Sequence, residues 1–416
     1  MNKQKIIAIE AIKKKLLGKR ISYSEAYALM DCIATGKLGD IFVAYFVAAS
    51  FKEGFTDDEL YNLTKAMVKT GEQLDFKGIV ADKHSIGGMP GTRTTPIIVS
   101  IIAAAGYTIP KLSSRAITSP AGTADVMEVV AKVNFSLNQV KTIVDKTGGC
   151  VVWNGRLNLA PADDVIIRVE EPIAFESYDK IIISILAKKV AASSNLLILD
   201  VPVGPTMKIK YVKDAQKFSQ RFLKLARRFK IKTKIDINHQ FQPTGFGIGP
   251  QLEMIDVIRV LEQQPDRPLK LEYKTLKLAS RLLDLCLQAD NKQTDGLRMA
   301  EYLLSSGKAL DKFREIVQAQ GGDPALRVDQ WEKAKYQQEI KAIKSGRIAI
   351  VNNYHLSAIA KILGAPKDKK AGLILHQNFD AEVNNNDILM ELHSESDKRL
   401  KKAVQTLTNL PVYEIV

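Results

Sequence analysis

Asp82-Lys83-His84-Ser85-Ile86-Gly87-Gly88-Met89-Pro90-Gly91-Thr92-Arg93-Thr94-Thr95 is the densest polar and glycine-rich stretch of the chain. It follows a predicted strand at 79–81 and opens a predicted helix at 95–105. In a strand–loop–helix turn of this kind, glycines let backbone N–H groups approach a ligand, and the helix N-terminus favours an anion. Lys83, Ser85, Thr94 and Thr95 add a point charge and hydroxyl donors, which suit a tetrahedral oxyanion. The spacing is neither a Walker A loop nor a G-x-G-x-x-G fingerprint. An ordinary glycine-rich turn is the competing interpretation.

Outward from this stretch, β-rich runs alternate with helical periods. Strands are predicted at 109–112, 150–153, 196–201 and 231–237, with helices at 137–147 and 213–229 between them. That rhythm predicts an α/β domain with a mostly parallel central sheet. Residues 1–72 instead read as helix after helix, punctuated by Gly18 and Gly36, with capping-box spacing at Ser22/Glu25 and Thr56/Glu59. The segment 40–50 is apolar on most sides, as in a helix buried in a bundle or at an oligomer interface. Two helical stretches within 163–192, the second at 181–192, interrupt the α/β rhythm and read as a return to that small helical domain.

From about residue 346 the texture becomes α+β. Strands are expected at 348–351, 372–376 and 388–392, helices at 355–363 and 396–407, and a turn at Asn384-Asn385-Asn386-Asp387. The predicted division is 1–72 plus about 160–192 for the small all-helical domain, 78–158 plus 193–340 for the large α/β domain, and 345–416 for a C-terminal α+β part.

Size and composition agree with two or three packed units. The chain has 416 residues, 46% hydrophobic and 25% charged, the balance of a globular protein. No window reaches the roughly 18 uninterrupted apolar residues of a membrane span. The basic start reads as an amphipathic helix rather than a signal peptide. Cys32, Cys150 and Cys286 are far apart and odd in number, which points to a reducing compartment, the cytoplasm, and away from a disulfide frame or zinc site. No spacing of the five histidines marks a metal site. The formal net charge of +14 attracts anions of several kinds. Its lysine runs read as solvated helix faces without the interleaved aromatics of a single-strand binder.

Two further loops leave the predicted strands at the same end. Ser113-Ser114-Arg115-Ala116-Ile117-Thr118-Ser119-Pro120-Ala121-Gly122-Thr123-Ala124-Asp125 holds five hydroxyls and one arginine in thirteen residues, unless it merely caps the helix starting near Thr123. Val203-Gly204-Pro205-Thr206-Met207-Lys208 is the other. Ligands of open α/β sheets bind at the C-terminal ends of strands, so a single anion-binding cleft is expected.

The runs D-K-H-S-I-G-G at 82–88, S-S-R-A-I-T-S-P-A-G-T-A-D at 113–125, L-A-P-A-D-D at 159–164 and S-I-L-A-K-K at 184–189 resemble the thymidine/pyrimidine-nucleoside phosphorylase family. More closely, they are similar to the branch of AMP phosphorylases and type 2 thymidine phosphorylases. G-F-G-I-G-P-Q-L-E at 245–253 and L-G-A-P-K-D-K at 363–369 extend the resemblance from about residue 10 to the C-terminus. It implies a cleft between the helical and α/β domains, closed by a hinge, and a homodimer. It further implies that inorganic phosphate, as co-substrate and without a cofactor, cuts a nucleoside or nucleotide into free base and sugar 1-phosphate. Membrane and nucleic acid are not expected partners.

By motif position the resemblance gives phosphate to Lys83, Ser85, Thr95, Ser113 and Thr123, and the base side to His84, Ser184 and Lys188. The spacing of Ser184 and Lys188 puts both on one helix face. Gly88, the run Ser114–Ser119 with Arg115 and Ser119, Thr123, Ser184 and Lys208 match nucleotide-contacting positions, with Arg115 and Lys208 suited to a 5′-phosphate.

Three departures stand out. Val169-Glu170-Glu171-Pro172 places Glu171 where the branch has a base-facing arginine. Glu176 stands where AMP phosphorylases have an aspartate proposed as proton donor. With the first family helix beginning near residue 10, their extra N-terminal domain is not expected here. Glu171 leaves room for a non-catalytic nucleotide or phosphate sensor, and the net charge for a nucleic-acid binder whose affinity falls steeply with salt.

Overall fold

The computed structural model describes residues 3–52, 54–116, 119–170 and 177–416. Four helices come first, α1 (Lys3–Leu16), α2 (Tyr23–Ala34), α3 (Asp40–Lys52) and α4 (Asp57–Lys69). Ser22 and Thr56 each accept the backbone N–H three residues on, and Glu25 and Glu59 reach back, so both capping boxes form. The chain then enters the α/β unit through β1 (Ala81–Ser85), α5 (Thr95–Ala104), β2 (Ile109–Ser113), α6 (Thr123–Met127), α7 (Leu137–Thr147) and β3 (Gly149–Trp153). It leaves again through α8 (Pro161–Glu170) and α9 (Tyr178–Ala191), which pack on α2, α3 and α4. The return to the bundle read from the sequence is therefore present, with its second helix starting three residues earlier than expected.

β4 (Leu196–Val203), α10 (Val212–Arg228) and β5 (Lys232–His239) complete the sheet, and the short β6 (Gly247–Ile248) follows. β1, β4 and β5 pair in parallel, β2 pairs with β3 in parallel, and a bridge from Val80 to Thr108 joins the two ribbons. The order is thus β3-β2-β1-β4-β5. Succession reverses between β1 and β4, and a doubly wound sheet opens its ligand crevice at that reversal, beyond the carboxyl ends of the strands.

Every residue of β4 is buried, as expected for a parallel strand covered on both faces. Leu197, Leu199, Val201 and Val203 face a core shared with α10 and the helical bundle, while Leu196 and Ile198 face the core built by α5. The bundle is therefore seated on the sheet and packs against it.

The helices α11 (Pro250–Leu261), α12 (Leu269–Ala289), α13 (Gly296–Ser305) and α14 (Lys308–Ala319) wall the second core. The last part alternates β7 (Tyr336–Lys341), β8 (Gly346–Val351), α15 (Asn353–Leu363), β9 (Gly372–Leu375), β10 (Glu382–Val383), β11 (Ile388–Ser394), α16 (Asp397–Leu407) and β12 (Tyr413–Ile415). Its antiparallel sheets are β10-β8-β12 and β6-β9-β11-β7, the β6 edge being lent by the α/β unit. The expected α+β texture is present, and Asn384–Asp387 closes as a turn, with the Asp387 backbone N–H on the Asn384 carbonyl.

One expectation needs correction. The strand read at 79–81 begins at Ala81 and continues through Ser85. Asp82, Lys83, His84 and Ser85 are therefore sheet residues, registered against Leu197, Ile198, Leu199 and Asp200 of β4. Polar composition disguised a strand whose inward groups serve a site instead of a core.

Candidate functional site

β1, β2 and β4 all end at the crevice, and the three loops read from the sequence leave them there. Lys83 is buried, and its ammonium lies 3.5 Å from Thr95 Oγ1 at the start of α5. Thr94 precedes that helix without any side-chain capping bond, and Pro96 occupies its first turn. Thr94 Oγ1 and, at the end of β2, Ser113 Oγ are buried hydroxyls with no partner among the described residues. Buried hydroxyls are rarely left unpaired. A positive helix end, a lysine and two orphaned hydroxyls, one at that helix start and one at a strand end, are groups suited to an oxyanion. Burial pulls the Lys83 ammonium down to about 8, with Asp200 opposing the shift.

Ser85 donates to Asp200 Oδ2 at 2.9 Å and accepts the Gly87 N–H at 3.4 Å. Asp200 Oδ1 accepts from Asn238 Nδ2 at 2.8 Å and lies 3.2 Å from Lys274 Nζ. Below β1, buried Asp82 takes Lys189 Nζ at 2.7 Å and Ser194 Oγ at 3.1 Å, and its Oδ1 accepts the Lys83 backbone N–H. Burial, reinforced by the ammonium groups of Lys189, Lys111, Lys188 and Lys83, holds His84 well below the ordinary imidazole range. His84 is thus a neutral imidazole, and the positive charge beside it belongs to the lysines.

The helical domain supplies the opposite wall. Lys188 Nζ lies 3.4 Å from Ser184 Oγ, one turn back on α9. Both reach Asp163 Oδ2 on α8, Lys188 at 2.7 Å and Ser184 at 2.8 Å. The expected shared face is therefore present, and the sequence reading missed its third member. Asp163 was legible only as part of L-A-P-A-D-D.

The second loop is organised by Arg93, also missed. Its guanidinium donates to Thr123 Oγ1 at 2.7 Å, to the Ala121 carbonyl at 2.8 Å and to Glu253 Oε2 at 2.8 Å. Ser119 donates to the same Ala121 carbonyl at 3.0 Å, and the Ser114 carbonyl accepts the Ala124 N–H at 3.3 Å. Arg115 is differently committed than its composition implied. It bonds Glu128 Oε2 at 2.7 Å and Asp125 Oδ1 at 3.0 Å, with its guanidinium 4.9 Å from the Trp153 ring centre. Two carboxylates already neutralise it, so it shapes the loop.

In the third loop, a side chain on Gly88 would meet Lys208 Cγ at 3.3 Å. The two loops thus touch where glycine leaves room for the lysine stem. Thr206 Oγ1 accepts from Asn353 Nδ2 at 2.6 Å, and the Met207 carbonyl accepts from Tyr354 at 3.3 Å, tying the loop to the start of α15. Glu171, Glu176, Ile117 and Thr118 lie outside the described residues. A cavity of about 700 Å³ between α11 and the C-terminal sheet is lined by Phe246, Trp331 and His393, and none of the site residues named above lines it.

Comparison with known proteins places this geometry. Residues 9–71 match the helical bundle domain of the glycosyl transferase family, and residues 77–310 match its a/b domain. A protein named AMP phosphorylase from Methanococcus vannielii is 40% identical over 398 residues, spanning 95% of this chain and 78% of that protein. One named "Putative thymidine phosphorylase" from Legionella pneumophila (strain Paris) is 40% identical over 403 residues, spanning 96% and 76%. Among solved structures, anthranilate phosphoribosyltransferase from Thermus thermophilus superposes with a TM-score of 0.61 at 17% identity, covering 75% of this chain and 99% of that one. At that identity the likeness is one of fold.

Proposed function

The chain belongs to the glycosyl transferase family whose helical bundle and a/b domains it carries, and from that premise we propose that it is a nucleoside or nucleotide phosphorylase, a pentosyltransferase. The observation that carries this reading is the pairing of two unlike walls. An oxyanion seat, Lys83, Thr94, Thr95 and Ser113, ends the strands of one domain. A lysine with a neighbouring hydroxyl, Lys188 and Ser184, projects from the other. Relatives at about 40% identity named for AMP and thymidine phosphorolysis agree with it.

Phosphate seated on Lys83 attacks the anomeric carbon as the C–N bond breaks, and the electron pair leaves with the base. Lys188 stabilises that charge and supplies a proton. The proton that hydrogen phosphate gives up on becoming the ester balances it through solvent. Charge is thereby met where it develops, with donors already in place. Inorganic phosphate is the co-substrate, and the reaction calls for no cofactor. A 5′-phosphate, where the substrate is a monophosphate, falls to Lys208 beside Gly88 rather than to the neutralised Arg115.

Assembly as a homodimer is supported by α3, on which Ile41, Ala44, Tyr45 and Ala48 form an exposed stripe at helical spacing. A cytoplasmic setting is supported by Cys32, Cys150 and Cys286, all free and buried. No helix of the described residues is long and apolar enough to cross a membrane.

The test is base release, followed by chromatography, from a panel of nucleosides and monophosphates with and without phosphate. Release that depends on phosphate and drops at least about 100-fold in Lys83→Ala supports the proposal. Lys208→Ala is expected to raise KM for monophosphates about tenfold and to leave nucleosides unaffected. A folded protein silent across the panel overturns the enzyme and leaves a non-catalytic relative.

A further inference from the structure

Asp163 has no role in the assignments above, yet it is fully buried and a single oxygen of its carboxylate holds both base-side groups of α9, Lys188 and Ser184. Its other oxygen, Oδ1, is buried with no hydrogen-bond partner among the described residues. A buried carboxylate of this kind persists where a cation compensates it, and removing that charge strands the partner. The contact runs both ways. Asp163 needs the Lys188 ammonium, and the ammonium is favoured by a carboxylate at 2.7 Å.

The hydrogen bonds also have a direction. Ser184 has one hydroxyl hydrogen, and Asp163, an acceptor when ionised, takes it. The serine oxygen therefore turns its lone pairs outward, one of them towards Lys188 Nζ. Side by side, α9 presents a donor from Lys188 and an acceptor from Ser184.

We infer that Asp163 is a positioning residue which keeps Lys188 an ammonium and fixes the direction of the Ser184 hydroxyl, so that the two groups of α9 are held ready together. The inference rests on the phosphorylase reading for the identity of the ligand, but not for the state of Lys188. Other charged groups face this lysine. Asp164 approaches from α8, the His84 imidazole from β1, and Lys180 from two turns back on α9, itself also under the field of Asp163 and Lys208. Asp163 is set apart by direct contact.

The test uses the full-length protein and the variant Asp163→Asn, which keeps shape and removes charge. Lysine acetylation by acetic anhydride, followed peptide by peptide with mass spectrometry across pH, reads the titration of Lys188 without any substrate. The expected result is a downward shift of about one to three units for Lys188 in the variant, with the exposed lysines unmoved. In the enzymatic assay the alkaline limb of kcat moves down with it.

Ser184→Ala is expected to leave the Lys188 titration in place while raising KM for the base-bearing substrate. Should Asp163→Asn fail to fold, Asp163→Glu serves instead. It keeps the charge but moves the oxygen, so the titration holds while KM rises. An unchanged Lys188 titration in folded Asp163→Asn overturns the inference, as does a titration lost in Asp163→Glu. If the wild type releases no base, the phosphorylase reading fails, and the acetylation profile still judges Asp163.

Discussion

Ser85 and Asp200 sit opposite each other on parallel strands, and the serine hydroxyl donates to the carboxylate at 2.9 Å. A carboxylate thus stands within the very crevice that gathers groups for an anion. Lys274 resolves the conflict from behind, on α12, at 3.2 Å from the same carboxylate. The network fixes the Ser85 hydroxyl on Asp200 and balances that carboxylate with Lys274.

Replacing Asp200 by Ala should therefore strand Lys274, itself buried, at a cost of about 3–5 kcal/mol. Lys274→Met alone strands the acid instead. In the double variant the losses should fall short of their sum by about 1–3 kcal/mol. Chemical denaturation of the four proteins measures the coupling, and simple additivity would show that the two groups act independently.

Lys83 makes a pH prediction. Its folded value of about 8 lies below the ordinary ammonium range, through burial. Between about 8 and about 10.4 the unfolded chain binds the extra proton, so without ligand this group adds stability as pH rises through that window. Phosphate affinity runs the opposite way, because only the ammonium holds the anion. Calorimetric titration should show binding weakening towards tenfold per pH unit above about 8. A flat profile would mean that another cation holds the phosphate.

Arg93 should behave as a structural keystone of the second loop. It pairs with Glu253, which is 1% exposed, and fixes Thr123 and the Ala121 carbonyl. Arg93→Met leaves that glutamate without its guanidinium and should cost about 3–5 kcal/mol, lowering the melting temperature. KM for phosphate should rise as well, because Thr123 loses its anchor. A variant that melts like the wild type would count against this role.

The fold was largely legible because its signals are local. Helical periods, capping residues such as Ser22 and Thr56, and the alternation of strands with helices are written over short windows. β1 was misplaced because Asp82, Lys83, His84 and Ser85 are polar residues that take hydrogen-bond and ionic partners near the strand end, where apolar alternation breaks down. Within the site, Lys83, Ser184 and Lys188 could be found from motif position and spacing. Asp163 and Arg93 could not, since their partners lie 21 to 160 residues away and only the folded chain brings them together. Arg115 shows the converse. A cation in a hydroxyl-rich loop resembles an anion ligand until Glu128 and Asp125 come into view.

The helical domain is assembled from two separated stretches, and the later one, α8 and α9, carries the lysine and serine of the base side. A ribosome delivers α1 to α4 first and then about ninety residues of sheet and crossover before α8 emerges. At roughly 5–20 residues per second, the early helices can pack on one another but wait several seconds for α8 and α9. The faces of α2, α3 and α4 that α8 and α9 finally cover are open to chaperones and to neighbouring nascent chains during that interval. Half of the candidate cleft is therefore a late product of synthesis. A fragment ending before residue 161 would hold Lys83, Thr95 and Ser113 and lack Ser184 and Lys188, which face them.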